Sequence, residues 1–453
     1  ATTDGSCVAT SQEQIAVNFA KEDLAGGIYY WQSASYNGIA GTTGGIYSHD
    51  FGTFDPTPTP FYTSGATGTC VGCHNLSRDG FRMSLATDDP DADDEFGDVK
   101  THLMDVSTRT VLGAQGALSP GFQTFTHDHA KGVASTFKAP MMKPPGFVAD
   151  GAFTVFDGNT SAVLATMPLP NPGTQPDLSR DDASLVWVVP KAGSIAMAGD
   201  HHFTAGALWW ASFDAANNKL GTPAQILADA SRNFYYPSFS PNGTFLVFND
   251  APQPGNTATS NDDAFYNRGA RVKLLHFPAG GAPIDLAALN VADGLSNSWP
   301  RWSPFVQTYK GHKLLWVTFS SNRDYGLHLV NKGFDNCYPP EGPAYDLPTP
   351  ASKKGVLYAG CAQPQIWMAG VIVDEDTTLD SKDRSYPAFW LPFQDVNSHN
   401  HSAQWVEKVQ SPPSSGGDGG SMCGASQAAC SASAPCCTDT VCCNGTCQVE
   451  CVN

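Results

Sequence analysis

The sequence predicts an all-β chain, a six-bladed β-propeller followed by a small disulfide-rich C-terminal module. Three observations predict it. One short segment recurs six times before residue 410; Gly (44), Pro (33) and aromatic residues (11%) are plentiful while charged residues are few (15%); and eight of the 13 cysteines fall within the last 31 residues. The first implies a repeat architecture, the second implies many short strands joined by turns, and the third implies a module too short to bury a core without cross-links.

The repeat is plainest in CHNLSRDGFRMSLA from residue 73, QPDLSRDDASLVWV from 175, YPSFSPNGTFLVFN from 236, and WPRWSPF followed by KLLWVTFSSNRD from 299. Each copy has a position that is usually proline, one variable residue, an apolar residue, serine, and a turn leading into an alternating apolar strand. Proline is expected to open a strand where no ladder donor is needed, and Asp, Asn or Gly supports the chain reversal, so the unit reads as a hairpin. Weaker copies lie at TFTHDHAKGVAST and SAQWV, where Ala403 takes the proline place. The apolar positions are Leu76, Phe125, Leu178, Phe239, Trp302 and Trp405, spaced 49, 53, 61, 63 and then 103 residues apart. Units of this period cannot bury themselves singly and imply a radial array of four-stranded blades. GGIYYWQSA and GGIYSHDFG near the start are expected to pair with the inner strand at Trp405 and close the ring. The long last interval holds Cys337 and Cys361, read as a disulfide across an insertion loop.

Four regions follow. Residues 1–24 form an N-terminal segment, the best amphipathic helix being SQEQIAVNFAKEDLAGG; residues 25–410 form the propeller; SPPSSGGDGGS at 411–421 is a flexible linker; and residues 422–453 form the Cys-rich module. Its cysteines, Cys423, Cys430, Cys436, Cys437, Cys442, Cys443, Cys447 and Cys451, are even in number and read as four disulfides, with a zinc cluster as the rival. Thirteen cysteines point to an oxidising compartment, periplasmic, extracellular or at the cell surface. The opening ATTDGSC lacks a charged and apolar leader, as expected where an export signal has been removed. No run of 18 apolar residues exists to span a membrane. A net charge of −18 disfavours nucleic acid and anionic lipid as partners.

The P-x-apolar-S-P-N/D-G segments resemble the repeat of TolB-like six-bladed β-propellers over most of residues 25–408. The resemblance implies the fold and is silent on function.

Chemistry concentrates in CVGCH, residues 70–74, which resembles the attachment signature of c-type cytochromes. Cys70 and Cys73 are spaced to add across the two vinyl groups of a haem, and His74 can bind the iron as proximal axial ligand. Three other readings compete: a structural Cys70–Cys73 disulfide, a thioredoxin-type redox pair, and half a zinc site. In register with the repeat, His74 takes the place of Pro176, Pro237 and Pro300, at the mouth of the propeller where inner strands begin. Histidines in loops on that face are expected to supply the sixth ligand: His401 first, then His399 in the same VNSHNHSAQW stretch, then His202 in AGDHHFTAGALWW, beside His201. His127 and His129 fall in a turn on the opposite face, and Met83 on the next strand points into packing. After haem, tail and insertion loop, Cys7 is left over.

In DDPDADDEFGD, Asp89, Asp91, Asp93 and Glu95 alternate as calcium ligands do, but the loop lacks the EF-hand glycine and terminal Glu, and a solvated acidic loop is the simpler reading. No nucleophile elbow, zinc-protease helix, phosphate loop or dinucleotide fingerprint occurs. The expected function is an exported monohaem cytochrome transferring electrons, with a basic redox protein or other cytochromes as partners and self-assembly as a further option. The alternatives are a haem enzyme with an open axial site, peroxidase- or oxygenase-like, and a non-catalytic binding or assembly protein with a structural haem.

Overall fold

The computed structural model describes residues 22–410 apart from 34–43, 54–55, 68–70, 89–98, 115, 119–120, 139–145, 192–195, 198–202, 254–266, 268, 292–294, 324–363 and 396–397, together with 441–443 and 446–448. The chain divides into two compact units, residues 1–410 and 411–453.

The first unit is built from six antiparallel sheets, the blades. Blade 1 contains β1 (Gly27–Ser33), β2 (Gly45–Asp50) and β3 (Thr59–Thr63), and blade 2 runs β4 (Val71–Leu76), β5 (Arg82–Asp88), β6 (Val99–Asp105) and β7 (Thr110–Leu112). Blade 3 runs β8 (Gln123–Phe125), β9 (Lys131–Lys138), β10 (Gly146–Asp157) and β11 (Val163–Pro168). Blade 4 has β12 (Thr174–Leu178) and β13 (Ser184–Val189), then β14 (Ala196–Met197), which pairs with β10, and β15 (Ala207–Asp214), flanked by β16 (Lys219–Leu220) and β17 (Ala224–Leu227). Blade 5 runs β18 (Arg232–Phe239), β19 (Phe245–Pro252), β20 (Arg271–His276) and β21 (Ile284–Asp285). Blade 6 has β22 (Ser298–Trp302), β23 (Gln307–Tyr309), β24 (His312–Ser321), β25 (Gln365–Ile372) and β26 (Phe389–Trp390). The last strand, β27 (His399–Val406), returns to blade 1 and pairs with β1, Ile28 facing Trp405. This closes the ring between the two ends of the repeat array. In the second unit β28 (Val441–Cys443) and β29 (Thr446–Gln448) form a hairpin with Cys442 opposite Cys447.

Each of the six apolar repeat positions lies on the innermost strand of its blade, and in five of them a serine or threonine after it brackets the hairpin, Val406 following Trp405 instead. Ser77 N–H donates to the Arg82 carbonyl at 2.9 Å, while Arg82 N–H donates back to Ser77 Oγ at 2.9 Å. Thr126 with Lys131, Ser179 with Ser184, and Ser240 with Phe245 repeat the pattern. A hydroxyl at this place accepts from the N–H on the far side of a four-residue turn, a donor that the turn itself leaves unpaired. Gly80 completes the first turn at φ +82°, a conformation natural to glycine.

The proline position departs from expectation. It lies inside the inner strand, at a β-bulge. Gln175 and Pro176 together oppose Trp187; Tyr236 and Pro237 oppose Phe248; Trp299 and Pro300 oppose Phe319; Ser402 and Ala403 oppose Tyr30. The first residue of each pair is left-handed, at φ +52°, +50°, +54° and +54°. Proline fits the second place because the ladder skips a donor there, so the missing N–H costs nothing.

Six apolar clusters hold the unit together, one between each pair of neighbouring blades. Val71, Leu76, Met83 and Leu85 of blade 2 pack with Tyr29 and Ile46 of blade 1, for example, with Met83 fully buried. The centre is filled as well. Phe122, leading into blade 3, meets Tyr236 of blade 5 and Trp299 of blade 6, contacts that cross the middle of a six-membered ring, and Tyr236 and Trp299 stack at 3.9 Å. Below them Arg78 donates to the Leu178 carbonyl at 2.6 Å and lies 3.4 Å from Asp177. Burial pushes the Asp177 carboxyl up, opposed by the Arg78 and Arg301 charges, and pushes the Arg301 guanidinium down, opposed by Asp177 and reinforced by Arg78.

Candidate functional site

Cys73 and His74 occupy in blade 2 the bulge that blades 4, 5 and 6 give to a residue and a proline, both opposite Leu85 of β5. A bulge turns a side chain out of the regular pleat. The His74 imidazole enters the wall shared with blade 1, where it is 6% exposed. Nε2 lies 3.1 Å from the Tyr29 carbonyl. A carbonyl only accepts, so Nε2 carries the proton and donates, leaving Nδ1 with its lone pair. Nδ1 is buried and has no hydrogen-bond partner among the described residues. Burial drives the His74 pKa down to about 4, against a smaller upward pull from the Tyr29 carbonyl, so the ring is neutral at pH 7.

Blade 1 supplies the neighbouring wall. Trp31 of β1 donates from Nε1 to the Val71 carbonyl at 2.9 Å, and its ring lies on Gly72, where an added Cβ would stand 3.0 Å from Cζ2. Of the two residues between the cysteines, Val71 and Gly72, the second has an indole over it that leaves little room for a side chain. The other side of the Trp31 neighbourhood is His401, its cross-strand partner on β27, stacked on it with centroids 4.4 Å apart. His401 and His399 thus belong to the inner strand itself, whereas the sequence pattern places them in a loop before it. The early β-branched and aromatic residues of β1 draw the last strand into pairing as far back as Ser33 with His399. Alternation puts both histidines on one face of β27. Burial pushes His399 down to about 4 as well.

Several expected residues lie outside the described ones: Cys70, Cys7, His201, His202, Cys337 and Cys361, Asp89, Asp91, Asp93 and Glu95, residues 11–21 of the helix candidate, and the side chains of Cys73 and of the tail cysteines; the described remainder of that candidate, 22–27, is not helical, and Gly27 already opens β1. In sequence, His201 and His202 fall between the second and third main strands of blade 4, and Cys337 and Cys361 between β24 and β25 of blade 6. Among the described residues no three His, Cys, Asp or Glu gather as a metal cluster, and no helix is long and apolar enough to cross a membrane. Tyr29, Trp31 and Gly72 are the site residues that motif reading passes over; the alternation in GGIYYWQSA, set in register against Trp405, is the signal that would find Trp31.

His127 and His129 sit at the other end of the inner strands. His127 Nε2 meets Glu407, just beyond β27, at 3.0 Å, and Arg180 reaches the same carboxylate at 2.5 Å. Blades 1, 3 and 4 are thereby tied across that mouth. Asp182 accepts from His127 N–H at 2.9 Å, and burial, with the Asp128 charge nearby, raises its carboxyl to about 6. A folded-state pKa above the unfolded one of 3.8 means that stability falls as pH rises from about 4 to 6 and stays lowered above. Asp182→Asn keeps the acceptor and removes the charge. The variant is expected to be more stable than wild type by about 1 kcal/mol at pH 7.5 and no different at pH 3.5, read by denaturant midpoints.

These features define a closed six-bladed β-propeller with a neutral, carbonyl-anchored histidine behind a Cys-x-x-Cys pair. No family model and no curated protein matches the chain. Solved structures do. Hydrazine synthase of Kuenenia stuttgartiensis is 13% identical over 68% of this chain and 80% of its own, with a TM-score of 0.36. TolB of Acinetobacter baumannii is 14% identical over 65% and 61%, with a TM-score of 0.38, and a hypothetical selenium-binding protein of Sulfolobus tokodaii is 10% identical over 81% and 78%, with a TM-score of 0.41. Likenesses this distant carry no functional statement.

Proposed function

We propose that the chain is an exported c-type cytochrome on a propeller scaffold, transferring electrons through one covalently bound haem. The observation that supports this reading best is His74. A metal-ligating imidazole is neutral, gives one ring N–H to a carbonyl or carboxylate, and has its other nitrogen uncommitted to a hydrogen bond; His74, directly after a Cys-x-x-Cys, has these features, its buried Nδ1 being without a hydrogen-bond partner among the described residues. Cys70 and Cys73 would hold the haem by thioether bonds and His74 would take the fifth position on iron. A bound haem supplies one-electron redox chemistry. The chain's own residues do the rest: the Tyr29 carbonyl fixes the imidazole, Trp31 covers Gly72, and the buried wall of blades 1 and 2 keeps water from His74. For the sixth position His401 ranks first, then His399, then His202. A surface of net charge −18 suits a basic redox partner, with association weakening as salt rises.

Purified protein tests the reading: after acid and organic extraction, a pyridine assay should still find iron porphyrin on the polypeptide, and a colourless chain would refute it. One observation favours the second reading, a haem enzyme with an open sixth position. The His401 ring is already stacked on Trp31. Carbon monoxide separates the two. A ferrous spectrum unchanged by the gas indicates two protein ligands, and in that case Trp31→Ala is expected to leave the haem attached while shifting its spin state or potential; a spectrum that shifts in wild type indicates the open site.

A further inference from the structure

We infer that the cleft on blade 5 facing blade 4 binds a small organic anion, its carboxylate or phosphate head held by Arg232 and Lys273 and its apolar part laid along Leu227 and Pro252. The cavity measures roughly 810 Å³, in the range of small-molecule sites. It opens where the apolar packing between blades 4 and 5 gives way to charge. Alternation places Arg232 with Phe234 on β18, Asp250 with Pro252 on β19, and Arg271 with Lys273 on β20; the pairings Phe234 to Asp250 and Asp250 to Arg271 set all of them on one sheet face. The lining carries three cations and two carboxylates, Asp229 and Asp250, in a chain of net charge −18.

The carboxylates are already committed. Asp250, 5% exposed, accepts from Arg232 Nε at 2.5 Å and pairs with Lys273 Nζ at 3.2 Å. Asp229 closes its own turn, accepting from Ser231 N–H at 2.8 Å and Ser231 Oγ at 2.7 Å. Arg271 is held by Asp285 at 3.0 Å. What remains is the outer edge of Arg232. Its Nη1 and Nη2 make no hydrogen bond among the described residues, and Lys273 spends one contact of three. Asp250 thus holds a guanidinium fork and an ammonium side by side, a geometry that suits a carboxylate or phosphate, beside an apolar wall that inorganic ions cannot use.

The test is calorimetric titration of the full chain with sodium hexanoate and with inorganic phosphate at fixed ionic strength. Saturable binding of hexanoate at one site per chain, weakened at least tenfold in Arg232→Ala, is the expected result. Arg232→Lys keeps the charge and the fold while losing the fork, and should weaken binding at least threefold, which covers a failure of the alanine variant to fold. Tighter binding of hexanoate than of phosphate supports the organic anion, and tighter binding of phosphate overturns it. Absence of saturable binding by both probes, or equal affinity in wild type and Arg232→Lys, overturns the proposal.

Discussion

Trp405→Ala is expected to lower the stability of the propeller by about 3–5 kcal/mol, the cost of emptying a large aromatic site in a packed core. Trp405 is 7% exposed on the strand that closes the ring. It stacks on Phe51 of blade 1 at 4.9 Å and donates from Nε1 to Thr318 Oγ1 of blade 6 at 2.9 Å, so one side chain fastens the last blade to the first. Its loss leaves a cavity, and it also leaves Thr318 short of a partner. Against a typical total of about 5–15 kcal/mol, that is a large fraction. Denaturant midpoints check it, with Val163→Ala as control: Val163 is 63% exposed on an outer strand and should change stability by less than about 0.5 kcal/mol. Equal midpoints for the two variants would mean that closure does not depend on Trp405.

The same residue shows what could be read without coordinates. An apolar residue followed by a hydroxyl residue and a turn must bury one side and reverse the chain, and a blade has one place that asks for both, so Leu76, Phe125, Leu178, Phe239 and Trp302 fall on inner strands; Trp405, followed by Val406, joins them through its spacing from the proline place at Ala403. Pairing of β1 with β27 was legible for a related reason: a strand at the start lacking an inner partner and an inner strand at the end lacking outer ones complete each other. The bulges were not legible. Their mark is a left-handed residue before proline, and Gln175, Tyr236 and Trp299 share no chemistry that would announce it. At the candidate site the motif named Cys73 and His74, but only register brings Trp31 onto Gly72 and the Tyr29 carbonyl onto Nε2. Contacts such as Arg180 with Glu407 join residues 227 positions apart and depend on ring geometry that no local pattern carries.

Replacing Cys70 and Cys73 together with alanine is expected to abolish covalent retention of porphyrin, while the propeller still folds. The fold rests on the apolar clusters between neighbouring blades, which the substitutions leave in place among the described residues, so far-ultraviolet dichroism should match wild type. His74→Ala should act differently. It deletes a buried imidazole bonded to Tyr29 and opens a cavity between blades 1 and 2, so it is expected to disturb the iron's spectrum and to cost about 1–3 kcal/mol of stability besides. A cysteine pair serving as a plain disulfide would give the reverse ordering, with lost stability and no change in colour.

The most direct measurement is the intact mass of the protein purified from an exporting host with haem supply, compared with that of the Cys70→Ala, Cys73→Ala variant. The account predicts wild type heavier than its polypeptide by one iron porphyrin and the variant bare. A wild-type chain at its bare polypeptide mass, or an adduct that survives in the variant, would contradict it.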